Sequence, residues 1–245
     1  MSEIADVKNI YDQWHRDLYQ NEEDGYALSK VWYQKTIENL PDLSGKRVLE
    51  IGCGRGEFSN FLSLKFPTAK IVATDFSEGA IEVCKLRFSN SNNIEFIVED
   101  VQRLRFPDAT FDFIVCCETL EHVPDVEIAV SEIYRVLTKG GGVVITTPSY
   151  FNAYSLVWIK CWLLNKPFSS GQGVQPFEHY YTSYYVRRLI RRSGFHIDKI
   201  YSTHFQWLVW PKTDPAILRT DEFKSALWNR VFRAFGVHFI YVATK

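Results

Sequence analysis

The stretch Arg47-Val-Leu-Glu-Ile-Gly-Cys-Gly-Arg-Gly56 decides the fold of this 245-residue chain. Val48, Leu49 and Ile51 give its first five residues an apolar character, which predicts a short buried β-strand. Three glycines at alternate positions, Gly52, Gly54 and Gly56, follow at once, and a helical pattern begins directly after them. Glycines let the chain turn sharply and let a ligand approach main-chain N–H groups at the start of a helix. The sequence therefore predicts a strand, a ligand-binding loop and a helix in succession.

The same alternation of strand and helix continues along the chain. Apolar runs predict strands over residues 47–51, 70–74, 94–98, 111–116, 143–147, 195–201 and 237–243. Periodic segments predict helices over 57–66, from a cap at Ser77, over 127–138 with an end at Gly140–Gly142, over 182–193 with a stop at Gly194, and over 221–235. Successive β-α units predict an α/β fold, a doubly wound parallel sheet with helices on both faces.

Composition excludes several classes of protein. Hydrophobic residues make up 46% and charged residues 23%, which is typical of a soluble globular chain, and the net charge of -1 gives no general attraction to nucleic acid. Five cysteines without a CxxC pair argue against a disulfide framework or a zinc site and indicate a cytoplasmic protein. The most apolar window, 150–164, is shorter than the about 20 residues that span a membrane.

The glycine spacing separates two kinds of nucleotide site. A dinucleotide-binding loop of the form GxGxxG would place a glycine at position 57, where this chain has a glutamate. The spacing found, E-x-G-x-G-x-G starting at Glu50, instead resembles motif I of the class I S-adenosylmethionine (SAM) methyltransferases. Residues 46–150 share this resemblance, since FDFIVCCETLEHVPD over 111–125 and LTKGGG over 137–142 are also similar to the family.

The resemblance implies a Rossmann-like, seven-stranded, mostly parallel sheet in the order 3-2-1-4-5-7-6, with the last strand antiparallel. It also implies SAM as the cofactor. The methionine part of SAM would lie at the glycine loop, its ribose at Asp75, and its adenine beside Phe76, Asp100 and Val101. The full set of implied cofactor-binding residues is Glu50, Gly52, Cys53, Gly54, Gly56, Asp75, Phe76, Asp100, Val101 and Cys117. Taken singly, each glycine could be a plain tight turn and Asp75 a helix cap.

A second cluster follows the fourth strand. If residues 118–122 begin a helical turn, Glu118, Glu121 and His122 share one face. With His179 they are candidate ligands for Mg²⁺ or another divalent cation. The pattern E-x-x-E-H plus a later histidine resembles quinone-biosynthesis O-methyltransferases and the 2′-O-methyltransferases of RNA 3′ ends. Without a metal, the Glu-His pair would cap a helix and pack beside the cofactor, and His122, His179 or Glu118 would be catalytic.

The predicted organisation is one methyltransferase domain over 1–245. It comprises a helical lid at 1–44, a SAM-binding core at 45–147, an acceptor-site insert at 148–181 and the rest of the sheet at 182–245. The aromatic residues of the insert could wall an apolar acceptor, cover the sheet edge or contact a membrane peripherally. Arg187, Arg188, Arg191 and Arg192 form either a phosphate-binding face or a solvated helix face.

The function predicted from the sequence is methyl transfer from SAM, with O-methylation of a small apolar or aromatic molecule in small-molecule biosynthesis. Metal coordination would lower the pKa of an acceptor hydroxyl and fix its orientation, but the acceptor atom itself leaves no clear mark in the sequence. The alternatives are an RNA 3′-end 2′-O-methyltransferase, an N- or C-methyltransferase, and a non-catalytic SAM-binding partner protein. The near-neutral charge argues against nucleic acid as the acceptor. The sequence does not indicate an oligomeric state.

Overall fold

Strands and helices alternate in the computed structural model much as their apolar patterns predict. The structure describes residues 12–13, 28, 30–149, 179, 181–203, 205–207, 216–218 and 236–245. The strands are β1 Arg47–Ile51, β2 Lys70–Asp75, β3 Ile94–Val98, β4 Phe111–Cys117, β5 Leu137–Pro148, β6 His196–Thr203, β7 Phe205–Trp207, β8 Ala216–Leu218 and β9 His238–Thr244. The helices are α1 Val31–Glu38, α2 Glu57–Lys65, α3 Glu78–Arg87, α4 Val126–Val136 and α5 Ser183–Arg192, with short 3₁₀ turns at Val101–Arg103 and Leu120–His122.

One seven-stranded sheet organises the molecule. Its order is β3-β2-β1-β4-β5-β9-β6, and β7 and β8 form a separate two-stranded ribbon. Strands β1 to β5 pair in parallel, whereas β9 runs antiparallel to both β5 and β6. The predicted order is confirmed, with β9 as the seventh and antiparallel strand of the sheet. The carboxyl ends of β1 to β5 therefore share one edge with the start of β9, and this edge is where ligands bind in such sheets.

Alternate residues of the central strands bury both faces of the sheet. Val48 and Val115 pack with α2 in one cluster, and Leu49 and Ile114 pack with α4 and α5 in another. All four side chains are fully buried. Because both faces are covered, these strands read as continuous apolar runs rather than alternating ones. The two clusters give the carboxyl edge a rigid support.

The passage from α4 to β5 differs from the prediction. The helix ends at Val136, and Leu137 already has extended backbone angles, φ -77° and ψ 139°. Strand β5 therefore includes Gly140–Gly142, and the prediction that these glycines end the helix was wrong. Gly142 lies against Phe113 of β4, where a Cβ would approach that ring within 2.8 Å. Gly142 is therefore required by close packing on β4, where the register shifts between Phe111 and Phe113, whereas Gly140 has a φ of 78° and open space around it.

Some predictions lie largely outside the described residues. Of the insert at 148–181, only Pro148, Ser149, His179 and Tyr181 are described, and the predicted helix at 221–235 is not among the described residues. The division of the chain into lid, core, insert and remainder stays a prediction. In the described part of the chain, we find no helix with the length and hydrophobicity needed to cross a membrane.

Candidate active site

The glycine loop after β1 has backbone angles that suit glycine and disfavour other residues. Gly52, Gly54 and Gly56 have φ values of 72°, 52° and 79°. The N–H groups of Gly52 and Cys53 both donate to the Thr74 carbonyl oxygen, at 2.8 and 2.9 Å, which ties the loop to β2. The last of the three glycines stands at the N-cap of α2. The loop thus runs close over the neighbouring strand before it enters the helix.

Neighbouring side chains leave no room for a side chain at the first and last glycine of this loop. A Cβ at Gly52 would lie 2.2 Å from the Thr119 Oγ1, and one at Gly56 would lie 2.9 Å from the Cys84 Sγ and the Phe88 ring. Thr119 is fixed in place because its hydroxyl hydrogen bonds to the carbonyl oxygens of residues 51 and 117 at 3.1 Å. A plain tight turn needs no such cover. This bare-backbone cradle fits the close approach that SAM would require.

Asp75 lies beside the loop at the end of β2. Its Oδ2 accepts the Gly54 N–H at 2.9 Å, and its Oδ1 accepts the Ser77 N–H at 2.9 Å. The cap of α3 is Ser77, whose hydroxyl accepts the Ala80 N–H at 3.1 Å. A carboxylate has about four lone-pair positions, so each oxygen can accept another hydrogen bond. Asp75 therefore organises the loop and keeps acceptor capacity for two ribose hydroxyls.

The residues predicted to flank adenine lie one strand further out. Asp100 caps the 3₁₀ turn that follows β3, where its Oδ1 accepts the Gln102 N–H at 2.9 Å. Val101 is buried and Phe76 is half-buried. Because Asp75 pairs with Val98 in the sheet, these side chains and the ribose candidate belong to the same carboxyl edge. Their contact with adenine stays a prediction.

Glu50 lies beneath the loop and is almost fully buried. Its Oε2 accepts a hydrogen bond from the Ser59 hydroxyl of α2. Burial raises the pKa of Glu50 to about 8, and the Asp75 charge adds to this while the Ser59 hydrogen bond opposes it. The acidic residue of the motif is thus a neutral carboxylic acid at neutral pH in the ligand-free protein.

A Glu50→Gln variant should change how stability depends on pH. In the folded protein the carboxyl titrates near pH 8 instead of its ordinary value of 4.5, so between those values only the unfolded chain ionises. The free energy of unfolding should therefore fall as pH rises through this window and level off above it. Glutamine stays neutral, so the variant should lack this decline. Urea unfolding of both proteins from about pH 5 to pH 9 measures the difference, and parallel curves would contradict the assignment.

The cysteines at the site are inert by environment. A hydrogen bond with Cys84 and burial raise the pKa of the Cys53 thiol. Burial likewise raises the pKa of Cys116 and of Cys117, although a hydrogen bond with Thr36 opposes the shift at Cys117. Thiols with raised pKa values carry little thiolate at neutral pH and are weak nucleophiles. The cysteines can line a cofactor pocket, but they do not suit covalent catalysis.

The structure does not bring the four predicted metal ligands together. Glu118 has φ 49° and stands outside the 3₁₀ turn Leu120–His122, so it does not share a helix face with Glu121 and His122. Glu121 is buried with its Oε1 3.7 Å from the His122 Nε2. His179 reaches this segment through its backbone, whose N–H donates to the Glu121 carbonyl oxygen at 2.7 Å, and the residue is exposed.

The predicted divalent cation therefore finds no support in the described residues. Among them, no group of three or more His, Cys, Asp or Glu side chains could hold a metal ion. The reason is local: the left-handed backbone at Glu118 breaks the helical spacing on which the prediction depended. Glu118 instead contacts Thr146 and His238, through an Oε1 that accepts the threonine hydroxyl at 2.7 Å and an Oε2 that lies 3.2 Å from the His238 Nε2.

Three residues near the site were not predicted from the sequence: Trp32, Tyr33 and His238. Burial raises the pKa of Tyr33 well above its ordinary value, with further contributions from the acidic groups of Cys117, Glu50, Glu118 and Cys53. The Tyr33 ring packs against Phe58 at the start of α2, with centroids 5.0 Å apart, so the hydroxyl is within electrostatic range of the glycine loop and the end of β4. All three lie outside the motifs of the sequence, and no local pattern indicates that α1 packs over this edge.

The N-terminal segment also reaches the carboxyl edge of the sheet. The Asp12 Oδ1 accepts the Ser77 hydroxyl at 2.5 Å and the Gly79 N–H at 3.1 Å, at the start of α3. A Cβ at Gly79 would lie 2.8 Å from the Asp12 carbonyl oxygen, so the two segments are in close contact. This contact lies directly beyond Asp75. It supports the prediction that residues of the N-terminal region cover the site.

Known proteins share this sequence pattern. A family model described as a methyltransferase domain matches residues 49–145, which run from β1 to β5. Demethylmenaquinone methyltransferases of Staphylococcus aureus, among them those of strains JH9 and Newman, are 31% identical to this chain over 169 residues. The match covers 62% of this chain and 70% of those proteins. It therefore includes the greater part of the relatives' own length.

Solved structures share the fold over almost the whole chain. A chain of the complex between the Haloferax volcanii Trm112 methyltransferase activator and a methyltransferase gives a TM-score of 0.68 at 19% identity, covering 96% of both chains. A SAM-dependent methyltransferase from Aquifex aeolicus gives a TM-score of 0.62 at 16% identity, covering 95% of this chain and 97% of that one. At such identities the likeness establishes the fold. With the sequence matches, it shows that this chain belongs to the class I SAM-dependent methyltransferases.

Proposed function

We propose that this methyltransferase transfers the SAM methyl group to a hydroxyl of a small apolar or aromatic molecule. The observation that carries the proposal is a half-buried carboxylate, Glu118, at the carboxyl edge next to the glycine loop. Two aromatic rings lie near this carboxylate. His238 contacts both Glu118 and the Trp32 ring, and the Glu118 charge contributes to the raised pKa of Tyr33. The name of the Staphylococcus aureus relatives specifies a quinone, which supports an apolar ring system as the acceptor but does not specify a hydroxyl as the methylated group.

The residues of this chain have three tasks in the proposed reaction. SAM supplies an electrophilic methyl group on a cationic sulfur. Asp75 and the glycine loop bind it, and α1 excludes water from the edge of the sheet. A neutral hydroxyl is a poor nucleophile, so loss of its proton as the new C–O bond forms lowers the barrier. Glu118 is the proposed acceptor of that proton.

His122 and His179 remain candidates for the same proton transfer. The side chain of His122 is mostly covered and lies near the buried Glu121, whereas His179 is exposed. Neither residue is connected to Glu118 by a described hydrogen bond. Their variants belong beside a Glu118 variant in any kinetic comparison, and we expect the Glu118 substitution to cause the largest loss of turnover.

The remaining parts of the proposal follow from the organisation of the chain. We assign the cover of the site to residues 1–44, of which α1 and Asp12 contact its edge. The insert at 148–181 would complete the acceptor pocket within a single domain, and its lipid contact stays a proposal. The partner is a small molecule rather than nucleic acid, in keeping with the net charge of -1.

Turnover of defined acceptors tests the proposal. The purified protein is incubated with SAM and either catechol, hydroquinone, 1,4-dihydroxynaphthalene or an RNA oligonucleotide, and products are identified by mass spectrometry. We expect S-adenosylhomocysteine together with the methyl ether of a dihydroxy aromatic compound, in excess EDTA as well as without it. Methylated RNA or a carbon-methylated ring would contradict hydroxyl transfer to a small molecule. SAM binding without turnover of any acceptor would favour the non-catalytic alternative.

A further inference from the structure

Glu118 has an unusual backbone for a residue with a side chain. Its φ is 49°, and Ala109 is the one other non-glycine residue with positive φ in the described part of the chain. Ala109 lies in a turn at the opposite edge of the sheet, before β4, whereas Glu118 directly follows the same strand. The left-handed region is unfavourable for such residues and persists where the surroundings fix it, often at functional sites. The contacts that hold Glu118 in this conformation therefore point to a functional role for the residue.

Contacts from two neighbouring strands hold Glu118 in this conformation. Its N–H lies 3.1 Å from both the carbonyl oxygen and the Oγ1 of Thr146 in β5. The Thr146 hydroxyl donates to the Glu118 Oε1 at 2.7 Å, and the Glu118 Oε2 lies 3.2 Å from the His238 Nε2 of β9. One strand thus fixes the backbone and one carboxylate oxygen, and the other strand fixes the second oxygen.

His238 is itself fixed by its place in the fold. It is the first residue of β9 and pairs with Pro148 at the end of β5, so it lies at the carboxyl edge. The residue is buried, and its ring centroid lies 4.3 Å from that of Trp32 in α1. The Trp32 Nε1 is also buried, and no residue that the structure describes accepts a hydrogen bond from it. This buried donor lies beside the pair, where an acceptor oxygen of a ligand would satisfy it.

We propose that His238 is a positioning residue, which with Thr146 holds the Glu118 carboxylate where the hydroxyl of an aromatic acceptor binds. The inference rests on the proposed methyl transfer to a hydroxyl. The Thr146 hydroxyl uses one of the about four lone-pair positions of the carboxylate, and the His238 Nε2 lies 3.2 Å from the other oxygen, which leaves acceptor capacity for a ligand. The Glu118 side chain is 18% exposed, so a ligand can reach it. Through His238, the start of β9 would thus set the geometry of the acceptor site.

Substitutions that remove or keep the imidazole N–H donor test this role. The probe is 4-nitrocatechol, whose absorption band moves to longer wavelength as its hydroxyl ionises. The band shift is measured with S-adenosylhomocysteine bound, and turnover is measured with SAM. His238→Leu removes the donor, and His238→Gln keeps one. We expect His238→Leu to lose the band shift and about 30-fold in kcat, while SAM affinity stays within about twofold. His238→Gln should recover kcat to within about fivefold of the unmodified protein.

Controls separate positioning from a structural role. His196→Leu replaces an exposed histidine near Asp198 at the other edge of the sheet and should change none of the readouts. If His238→Leu fails to fold, Thr146→Val provides a second test. It removes the hydroxyl that donates to the Glu118 carboxylate and should give the same loss of band shift. The proposal is overturned if the unmodified protein shows no band shift, if His238→Leu keeps shift and kcat, or if His238→Gln is as impaired as His238→Leu. A normal band shift without a methylated product would support the positioning role and refute the proposed function.

Discussion

Gly52→Ala is expected to weaken SAM binding by about 1000-fold, which corresponds to about 4 kcal/mol. The strain of alanine at a φ of 72°, about 1–2 kcal/mol, lowers the stability of the fold. The loss of binding comes from the Cβ, which would lie 2.2 Å from the Thr119 Oγ1, an overlap that is relieved by moving the loop or the segment that carries Thr119. Either movement shifts the N–H groups that the ligand needs. Isothermal titration calorimetry with SAM measures the loss.

The chain contains a matched control for this substitution. Gly45 has nearly the same φ, 71°, but a Cβ there would meet no atom within 4 Å. Gly45→Ala should therefore show the conformational cost alone, as a small fall in melting temperature with normal SAM affinity. The double variant Gly52→Ala with Thr119→Ala removes the closest overlap and should recover part of the binding. Equal SAM affinities for Gly52→Ala and Gly45→Ala would contradict the cradle described above.

The sheet was predictable because its central strands are buried on both sides. Val48 and Leu49 face opposite clusters, so the strand carries adjacent apolar residues with Glu50 as its one buried charged residue, and the glycines after it mark its end. The strand bounds fell within two residues of the structure at most places. The exception, β5, begins six residues early, because Gly140–Gly142 resemble a helix stop in the sequence although they lie within the strand, with Gly142 packed against Phe113 of β4. The strand order itself came from the family resemblance.

The acceptor side of the site was harder to predict, for two physical reasons. One is local: a positive φ at Glu118 is invisible in the sequence, and it turns an apparent metal-ligand helix into separate contacts. The other is long range, since His238 lies 120 positions along the chain from Glu118 and meets it only because β9 inserts between β5 and β6. The residues predicted to bind the cofactor, by contrast, lie at or just after the ends of β1, β2, β3 and β4 in turn, so their positions form a pattern that is visible in the sequence.

Asp75→Asn is expected to weaken SAM binding by about 100-fold. The carboxylate accepts the backbone N–H groups of Gly54 and Ser77 and has capacity for two ribose hydroxyls. The asparagine amide keeps only one acceptor oxygen, so either the Gly54 N–H or the Ser77 N–H loses its acceptor, together with the ribose hydroxyl on that side. A hydrogen bond to a charged group contributes about 1.5–3 kcal/mol, and the loss of one such bond with partial displacement of the loop gives this magnitude. Calorimetry with SAM again measures the affinity.

A second aspartate makes the comparison specific. The Asp112 Oδ2 also accepts a backbone N–H, that of Arg47 at 2.9 Å, but at the opposite edge of the sheet. Asp112→Asn should cost about 1 kcal/mol of stability and leave SAM affinity unchanged. The ribose assignment itself is tested with S-adenosylhomocysteine and its 2′-deoxy analogue. Loss of the hydroxyl should weaken binding to the unmodified protein by more than about tenfold and to Asp75→Asn by much less, because the two changes remove one interaction. Equal penalties in both proteins would mean that Asp75 shapes the loop without touching the sugar.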